Sequence, residues 1–192
     1  MIRALVTGGS GTIGSAIART LAAAGHRVYV HAHGRTDRAD QIIGLIMEVS
    51  GSTEVIRFDV TDAAATWTTL DHLLEAGAVQ ILVNNAGIPD DAVMPGMSPE
   101  QWGRVIGVSL NRFFNVMRLL LLPMIRGWWG RIVNISSVGA IAGNRGQTNY
   151  AAAKTGLHGA TRALALELVS CGITVNTVAP GIIAPPAVEG VF

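Results

Sequence analysis

Two polar side chains four residues apart, Tyr150 and Lys154, could together transfer a proton. They fall on a predicted helix, where residues at this spacing share one side with their Cβ atoms about 5–6 Å apart. A free tyrosine has a pKa near ~10, too high for proton transfer at neutral pH, and a nearby ammonium stabilises the phenolate and lowers that value. The pair therefore predicts a tyrosine general acid, although a surface tyrosine and lysine on an amphipathic helix give the same pattern.

A serine hydroxyl is expected close to this pair. Ser137 directly follows a predicted buried strand, at the carboxyl end where parallel sheets bind their ligands. Its hydroxyl could donate a hydrogen bond to a substrate carbonyl and to the alkoxide that develops from it. The alternative is an ordinary strand-end serine, which is the role we expect for its neighbour Ser136.

A glycine-rich turn, Thr7–Gly14, follows the first predicted strand and opens the first predicted helix. Glycine permits the tight turn and lets backbone approach a pyrophosphate, while the helix N-terminus offers free N–H groups and the positive end of its dipole. An ordinary glycine-rich turn is the alternative, but this position favours dinucleotide binding. The predicted contacts are Gly8, Ser10, Gly11, Thr12, Ile13 and Gly14.

The end of the second predicted strand carries no acidic residue. A carboxylate there would bind the ribose 2′-hydroxyl of NAD and repel a 2′-phosphate. His33 and Arg35, with Arg38 nearby, would instead attract that phosphate, so we expect NADP(H) as the cofactor. The alternative is that these side chains are solvated loop charges.

Short apolar segments alternate with helical segments along the chain. The predicted strands, rich in Val and Ile, are Arg3–Val6, Val28–His31, Val55–Phe58, Ile81–Val83, Ile132–Ile135 and Thr174–Val178. The predicted helices are Ile13–Ala24, Thr36–Val49, Asp62–Leu74, a bent helix from Ser98 to Arg126, and Tyr150–Leu168. This alternation predicts right-handed βαβ crossovers in a Rossmann-like α/β fold, a doubly wound parallel sheet forming a single domain over residues 1–192.

The composition excludes several classes of protein. The net charge of +1 gives no broad electrostatic reason to expect nucleic acid or a membrane surface as a partner. The longest apolar run considered as a membrane span, Leu119–Leu122, meets Pro123 and Arg126 and is too short. The single cysteine, Cys171, excludes an internal disulfide and suits a reducing, cytoplasmic location. No metal site is predicted.

Taken together, these motifs resemble those of the classical short-chain dehydrogenase/reductase family. The resemblance covers essentially the whole chain and rests on several motifs in order: Thr7–Gly14, Asp59-Val60, Asn84-Asn85-Ala86-Gly87, Ser137, Tyr150 with Lys154, and Asn176 with Pro180-Gly181. Within the family the chain is most similar to 3-oxoacyl-[acyl-carrier-protein] reductases, through Gly130–Ser137 and Gly143–Tyr150.

The resemblance implies a role for each of these residues. Tyr150 would give the proton, Lys154 would lower its pKa and hold the nicotinamide ribose, and Ser137 would polarise the carbonyl. The implied cofactor contacts are Asp59 and Val60 at the adenine, Asn85, Ala86 and Gly87 at the adenine-side ribose, and Pro180, Gly181, Ile182 and Ile183 near the nicotinamide.

The sequence departs from the family pattern at several places. Ser109 stands where the family has an active-site asparagine that helps to hold a water in the proton relay, and we expect Ser109 to take that catalytic place more weakly, or the relay to differ. Asn111, two residues on, would point elsewhere on a helix. Trp128 and Cys171 stand where carrier-protein reductases often have arginines, which weakens the case for a carrier-protein partner. The chain ends at Phe192, so we expect either a truncated end or a site without a lid, and a sheet without the last family strand.

We therefore expect NADPH-dependent reduction of a 3-oxoacyl thioester, bound to coenzyme A or to an acyl carrier protein, to the 3-hydroxyacyl form. Two alternatives stay open: a reductase or dehydrogenase of another small ketone or alcohol, and a non-catalytic NADP-binding subunit. The two long predicted helices could pair across a two-fold axis, so a homodimer or homotetramer is expected.

Overall fold

The computed structural model describes residues 1–33, 40–41, 44 and 52–183. Six strands lie within these residues: β1 (Arg3–Val6), β2 (Arg27–Ala32), β3 (Thr53–Arg57), β4 (Ile81–Asn84), β5 (Gly130–Ile135) and β6 (Ile173–Val178). They form one parallel sheet in the order β3-β2-β1-β4-β5-β6. This is the strand order of the doubly wound dinucleotide fold, so the predicted fold class is confirmed.

Six α-helices connect or follow the strands in the described part of the chain. They are α1 (Thr12–Ala23), α2 (Ala63–Glu75), α3 (Pro99–Ile106), α4 (Arg112–Arg126), the short α5 (Gly139–Ala142) and α6 (Thr148–Leu168). The predicted start signals work as expected. The Asp62 carboxylate accepts hydrogen bonds from the first-turn N–H groups of α2, and Ser98 forms a capping box with Gln101 at the start of α3.

Parts of several predictions lie outside the described residues. They are most of the predicted helix Thr36–Val49, the candidate phosphate ligands Arg35 and Arg38, and the chain after Ile183.

The predicted bend between Ser98 and Arg126 is a π-helical turn, Gly107–Asn111, which joins α3 to α4. Such turns insert one extra residue into the helical ladder and change which side chains face inward. Here Ser109 and Arg112 are buried, whereas Asn111 is exposed. The expectation that Asn111 points away from the interior therefore agrees with the structure.

The core lies on both faces of the sheet because side chains alternate along each strand. Along β1, Leu5 faces α2, α4 and α6, while Ala4 and Val6 face α1. The small residues Ala18 and Ala22 let α1 approach the sheet closely. Because helices cover both faces of the sheet, a ligand is expected at the carboxyl ends of the strands.

One described helix is longer and more apolar than the run Leu119–Leu122 indicated. Helix continues from Pro99 through the π turn to Arg126, giving 28 residues whose most apolar stretch has a mean hydropathy of 1.5. The short run Leu119–Leu122 hid this length because the helix passes through Pro123 without ending. By length and composition the helix could cross a membrane, but core helices of globular domains meet the same criteria. Val116, Leu120 and Met124 pack it into the core of the sheet.

Candidate active site

A cavity of about 630 Å³ lies at the carboxyl ends of the strands. Its wall begins at the glycine-rich turn and ends at Tyr150 and Lys154 on α6. Most of the predicted cofactor contacts line it, namely Gly8, Ser10, Gly11, Thr12, Ile13, His33, Asp59, Val60, Asn85, Ala86, Gly87, Tyr150, Lys154 and Ile183. The position is the one that open parallel sheets use for dinucleotides.

The glycine-rich turn fits a pyrophosphate for reasons visible in its backbone. Gly8 has a φ of +62°, and a Cβ there would lie 2.8 Å from the Cα of Ala86. A Cβ on Gly9 would lie 2.6 Å from Val30 Cγ1, so side chains are excluded on both sides of the turn. Gly11 is the N-cap of α1, and no side chain caps this helix. The first N–H groups of α1 are therefore available to phosphate oxygens.

Gly14 lies behind the cavity wall rather than on it. A Cβ at this position would lie 2.3 Å from the carbonyl oxygen of Gly8 and 2.7 Å from Asn85 Nδ2. Asn85 Nδ2 in turn donates hydrogen bonds to the carbonyl oxygens of Thr7 and Gly8, both at 3.0 Å. Gly14 thus permits the close packing that holds the turn in shape.

His31 is a site residue that the sequence reasoning missed. It is buried at the end of β2, and its Nδ1 accepts a hydrogen bond from the Gly8 N–H at 3.1 Å. Its Nε2 is 2.9 Å from the carbonyl oxygen of Phe58 and must donate to it. Burial, followed by the Arg112 and His33 charges, lowers the pKa of His31 to about 4 against the opposing effect of the Phe58 bond. A histidine inside an otherwise apolar strand was the available signal.

The end of the cavity away from Tyr150 carries His33, which is exposed, and Asp59, which is partly buried. The Asp59 carboxylate accepts hydrogen bonds from the Thr61 N–H at 2.8 Å and the Thr61 hydroxyl at 2.7 Å. The Thr61 N–H bond is the main reason that the pKa of Asp59 is lowered. Asp59 is thereby fixed at the edge of the cavity, next to His33.

At the other end of the cavity lie Tyr150 and Lys154, and Ser137 lies beside Tyr150 without lining the cavity itself. Lys154 Nζ lies 5.6 Å from the centre of the Tyr150 ring and donates a 2.7 Å hydrogen bond to the carbonyl oxygen of Ile135. The Ser137 oxygen accepts a hydrogen bond from the Gly139 N–H at 3.1 Å, which leaves its own proton free to donate outward. Ser137 also acts on the phenol of Tyr150, whose pKa its hydroxyl lowers.

The charges around Tyr150 differ from the prediction that the Lys154 ammonium lowers the pKa of the phenol. Burial raises the pKa of Tyr150, while the Ser137 hydroxyl and then the Arg112 guanidinium lower it, and Asp91 raises it. Burial also lowers the pKa of Lys154 to about 7, with a further contribution from Arg112. Lys154 is thus only partly charged near neutral pH, and the cation that lowers the pKa of the phenol is Arg112.

Ser109 lies behind the cavity wall, close to Lys154. A Cβ built on Gly87 would lie 3.0 Å from Lys154 Nζ and 3.5 Å from Ser109 Oγ, so both side chains meet the same glycine. The Ser109 hydroxyl is fully buried and has no hydrogen-bond partner in the described part of the chain. A buried hydroxyl of this kind is usually satisfied by a protein group or by ordered water.

The remaining predicted residues, Ser137 among them, do not line the cavity. The carbonyl oxygen of Pro180 accepts a hydrogen bond from the Val138 N–H at 2.9 Å and thereby ties the end of β6 to the segment after Ser137. Gly181 is exposed, and no atom lies within 4 Å of a Cβ built on it. Besides His31, the cavity wall includes residues that were not predicted, namely Ile88, Val108, Ile135 and Ser136.

Ser136 is more than the strand-end serine that the sequence suggested. It is buried, its hydroxyl donates to the carbonyl oxygen of Lys154 at 3.2 Å, and His158 Nε2 lies 2.7 Å from the same hydroxyl. These bonds attach the end of β5 to α6, the helix that carries Tyr150 and Lys154. Ser136 therefore fixes the distance between the strand end and the acid–base pair.

A doubly wound sheet, an uncapped glycine turn and a tyrosine–lysine pair at one cavity, with a serine beside the tyrosine, are the features of a dinucleotide-binding oxidoreductase. The family model for short chain dehydrogenases matches residues 3–191. The chain belongs to the short-chain dehydrogenase family.

Two relatives illustrate the similarity. The chain is 43% identical over 181 residues to a 3-oxoacyl-[acyl-carrier-protein] reductase of Aggregatibacter actinomycetemcomitans, covering 93% of this chain and 75% of the relative. It is 42% identical over 189 residues to an acetoacetyl-CoA reductase of Cupriavidus necator, covering 98% of this chain and 77% of the relative.

Proposed function

We propose that this chain is an NADPH-dependent reductase that converts a 3-oxoacyl thioester to its 3-hydroxyacyl form. The observation that carries the proposal is that Tyr150 and Lys154 line one end of a cavity whose other end is the uncapped N-terminus of α1, with the Ser137 hydroxyl beside Tyr150. The names of the relatives support the substrate class, since they are reductases of 3-oxoacyl-carrier-protein and of acetoacetyl-CoA. Both substrates carry a ketone at the third carbon of a thioester.

The cofactor would be held along the whole cavity. The N–H groups at the start of α1 would bind the pyrophosphate, Asp59 and Val60 would meet the adenine, and His33 with Arg35 would bind the 2′-phosphate. When bound, NADPH supplies the hydride that reduces the carbonyl carbon.

The residues of the chain supply position and the proton. The Ser137 hydroxyl, oriented by the Gly139 N–H, donates a hydrogen bond to the substrate carbonyl oxygen and stabilises the negative charge that develops on it. Tyr150 transfers its phenolic proton to that oxygen and becomes a phenolate. Lys154, anchored to the Ile135 carbonyl, stands beside the phenol and would hold the nicotinamide ribose.

The partners follow from this proposal. The substrate is a small-molecule acyl thioester on coenzyme A or on an acyl carrier protein, and the protein acts as a homodimer or homotetramer. We also propose a cytoplasmic location, which suits the free Cys171.

The experiment is a turnover assay with the purified full-length protein. We expect NADPH oxidation with acetoacetyl-coenzyme A, and the carrier-bound form tested in parallel distinguishes the two carriers. Turnover only with unrelated ketones would reject the thioester substrate, and tight NADPH binding without any turnover would favour a non-catalytic subunit.

Tyr150→Phe isolates the proton step. We expect kcat to fall by about 100-fold or more, because the variant keeps the ring but loses the acid, while binding of NADPH measured by calorimetry stays almost unchanged. Tyr29→Phe is the matched control, since Tyr29 is the only other tyrosine and its hydroxyl accepts hydrogen bonds from Arg3, far from the site. Retained activity in Tyr150→Phe would remove Tyr150 from the role of acid.

A further inference from the structure

Arg112 is a buried cation without an anionic partner. It lies in the first turn of α4 with no exposed surface. Its Nη1 donates to the Thr7 hydroxyl oxygen at 3.1 Å and its Nη2 to the Asn84 carbonyl oxygen at 3.5 Å, while its Nε has no partner among the described residues. No described carboxylate forms a salt bridge with it. Burying a guanidinium with only neutral partners is unfavourable, which marks the position as more than packing.

The guanidinium lies directly behind the wall of the active-site cavity. The Thr7 oxygen that Arg112 contacts also accepts the N–H groups of Asn85 at 3.0 Å and Ala86 at 3.1 Å. The opposite side of this segment lines the cavity, and Lys154 Nζ lies 3.0 Å from a Cβ built on Gly87. The Asn85–Gly87 segment therefore contacts both the Thr7 hydroxyl that Arg112 holds and the Lys154 amine.

The other charges around the pair do not replace Arg112. From the loop after β4, Asp91 faces Tyr150 and disfavours its ionisation, while the neighbouring Asp90 is paired with Arg104 of α3. On α6 itself, burial lowers the pKa of Lys154 to about 7, whereas Arg112, whose pKa burial lowers to about 9, stays charged at neutral pH. Ser137 contributes a hydroxyl without a charge.

We propose that Arg112 is a positioning residue whose permanent positive charge, acting through the Asn84–Gly87 segment, sets the proton affinity of the Tyr150–Lys154 pair. The inference rests on the proposed function. When Tyr150 gives its proton to the substrate oxygen, a phenolate remains, and Arg112 stabilises it until solvent returns the proton. The same charge favours the neutral amine of Lys154. A cation at this place lowers the proton affinity of both groups, so its removal raises both.

The chain offers an unusually clean test, because Lys154 is its only lysine. Protein labelled with carbon-13 lysine gives a single side-chain titration curve by NMR without any assignment variant. We expect Arg112→Met, which is apolar and similar in volume, to raise the pKa of Lys154 by about one unit. Arg112→Gln serves as a second neutral variant that keeps a donor toward Thr7. Arg112→Lys keeps the positive charge and should leave the pKa of Lys154 at the value of the unmodified protein. Because this variant contains two lysines, the double variant Arg112→Lys with Lys154→Met identifies the signal of the new lysine.

Arg118→Met is the matched control. Arg118 is exposed on the same helix and lies over the rings of Trp67 and Phe114, so it should leave the titration of Lys154 unchanged. An unchanged pKa in both neutral Arg112 variants would overturn the proposal, as would an equal shift in Arg118→Met. A shift of the same size in Arg112→Lys would show that the charge is not responsible.

Enzyme kinetics give a second readout. In the oxidation of a 3-hydroxyacyl thioester, the acid-side limb of the pH–rate profile should move to higher pH in Arg112→Met, because the pKa of the Tyr150–Lys154 pair rises. A merely structural role would lower the rate at every pH without moving the limb. The NMR titration needs no substrate, so it still tests Arg112 if the unmodified protein fails to turn over the thioester, and the two failures are distinguishable.

Discussion

Tyr150 lies in a partly buried position that disfavours ionisation of its phenol. Burial raises the pKa of its phenol, and the hydroxyl of Ser137 and the guanidinium of Arg112 act in the opposite direction. The net result is a raised pKa for Tyr150, and the proposed role as general acid therefore depends on the groups that oppose burial. Lys154, with its pKa lowered to about 7, contributes as a hydrogen-bonding anchor as much as a charge.

We expect the preference for NADPH over NADH to depend on a few side chains at the end of the cavity away from Tyr150. His33 lines the cavity wall, and Arg35 follows it outside the described residues. Replacing both by Gln should raise the KM for NADPH about tenfold or more, since a hydrogen bond to a charged group contributes about 1.5–3 kcal/mol. The KM for NADH, which lacks the 2′-phosphate, should change little.

Arg19→Gln is the control for this prediction, because Arg19 is an exposed arginine on the outer side of α1. The measurement is steady-state kinetics with both cofactors at fixed substrate. An equal loss for NADPH and NADH would contradict a role for His33 and Arg35 in binding the 2′-phosphate.

His31 connects three elements around the cofactor turn. It belongs to β2, accepts the N–H of Gly8 from the turn after β1, and donates to the carbonyl of Phe58 just beyond β3. The bond from Gly8 requires the neutral ring, because a protonated imidazole has no acceptor, whereas the bond to Phe58 can be donated by either form. The shape of the phosphate-binding turn therefore depends on His31 staying uncharged.

This dependence predicts a loss of stability in acid. The folded protein holds the pKa of His31 at about 4, against an unperturbed value of 6.5, so between these values the unfolded chain binds more protons. The contribution is fully present above pH ~6.5 and falls by about 3 kcal/mol as the pH drops to ~4. Urea unfolding measured at several pH values in this range should show the decline.

The variants His31→Gln and His72→Gln separate His31 from other acid effects. Glutamine can accept and donate like the neutral ring but does not titrate, so His31→Gln should flatten the pH dependence between ~6.5 and ~4. His72 is exposed on α2, and its replacement should leave the dependence intact. If His31→Gln kept the full decline, another group would be its cause.

The π turn Gly107–Asn111 explains how the long helix serves the site. It places Ser109 and Arg112, three residues apart, in the interior behind Gly87 and Thr7. Such π turns, which contain one residue more than a regular helical turn, often occur at functional sites. Thus the departure at Ser109 and the buried Arg112 belong to the same local distortion.

In the molecule as a whole, the two long helical segments cover one face of the sheet and leave apolar side chains outside. Phe114 and Leu122 on α4 are 62% and 52% exposed, and Leu166 at the end of α6 is 78% exposed. Exposed apolar groups on adjacent helices are typical of a subunit interface. They support the proposed pairing of these helices between two copies of the chain, and they also account for the high hydropathy of Pro99–Arg126.

Disrupting that pairing should change the molecular mass in solution. Phe114→Glu together with Leu166→Glu would place charges in the interface, where burying them is unfavourable, and should convert the protein to a smaller species by size-exclusion chromatography with light scattering. Trp128→Glu is the control, since Trp128 is 68% exposed but lies in the turn before β5, at the opposite end of the strands. An unchanged mass in the double variant would reject these helices as the interface.

Local patterns in the chain were enough to predict the order of elements. All six strands lie within two residues of their predicted ends, because buried parallel strands read as short runs rich in Val and Ile. The glycine turn, the Asp62 and Ser98 caps and the spacing of Tyr150 and Lys154 also depend on neighbours a few residues apart. Local sequence therefore determines these features.

The electrostatics of the site come from contacts between distant parts of the chain. Arg112 meets Thr7 across 105 residues, and His31 meets Phe58 across 27. Burial and charge from other elements set the pKa values of His31, Tyr150 and Lys154, and neither residue type nor spacing specifies how deeply a side chain is buried. The sequence alone therefore predicted the Tyr150–Lys154 pair, and the packing of the elements determined which cation acts on it.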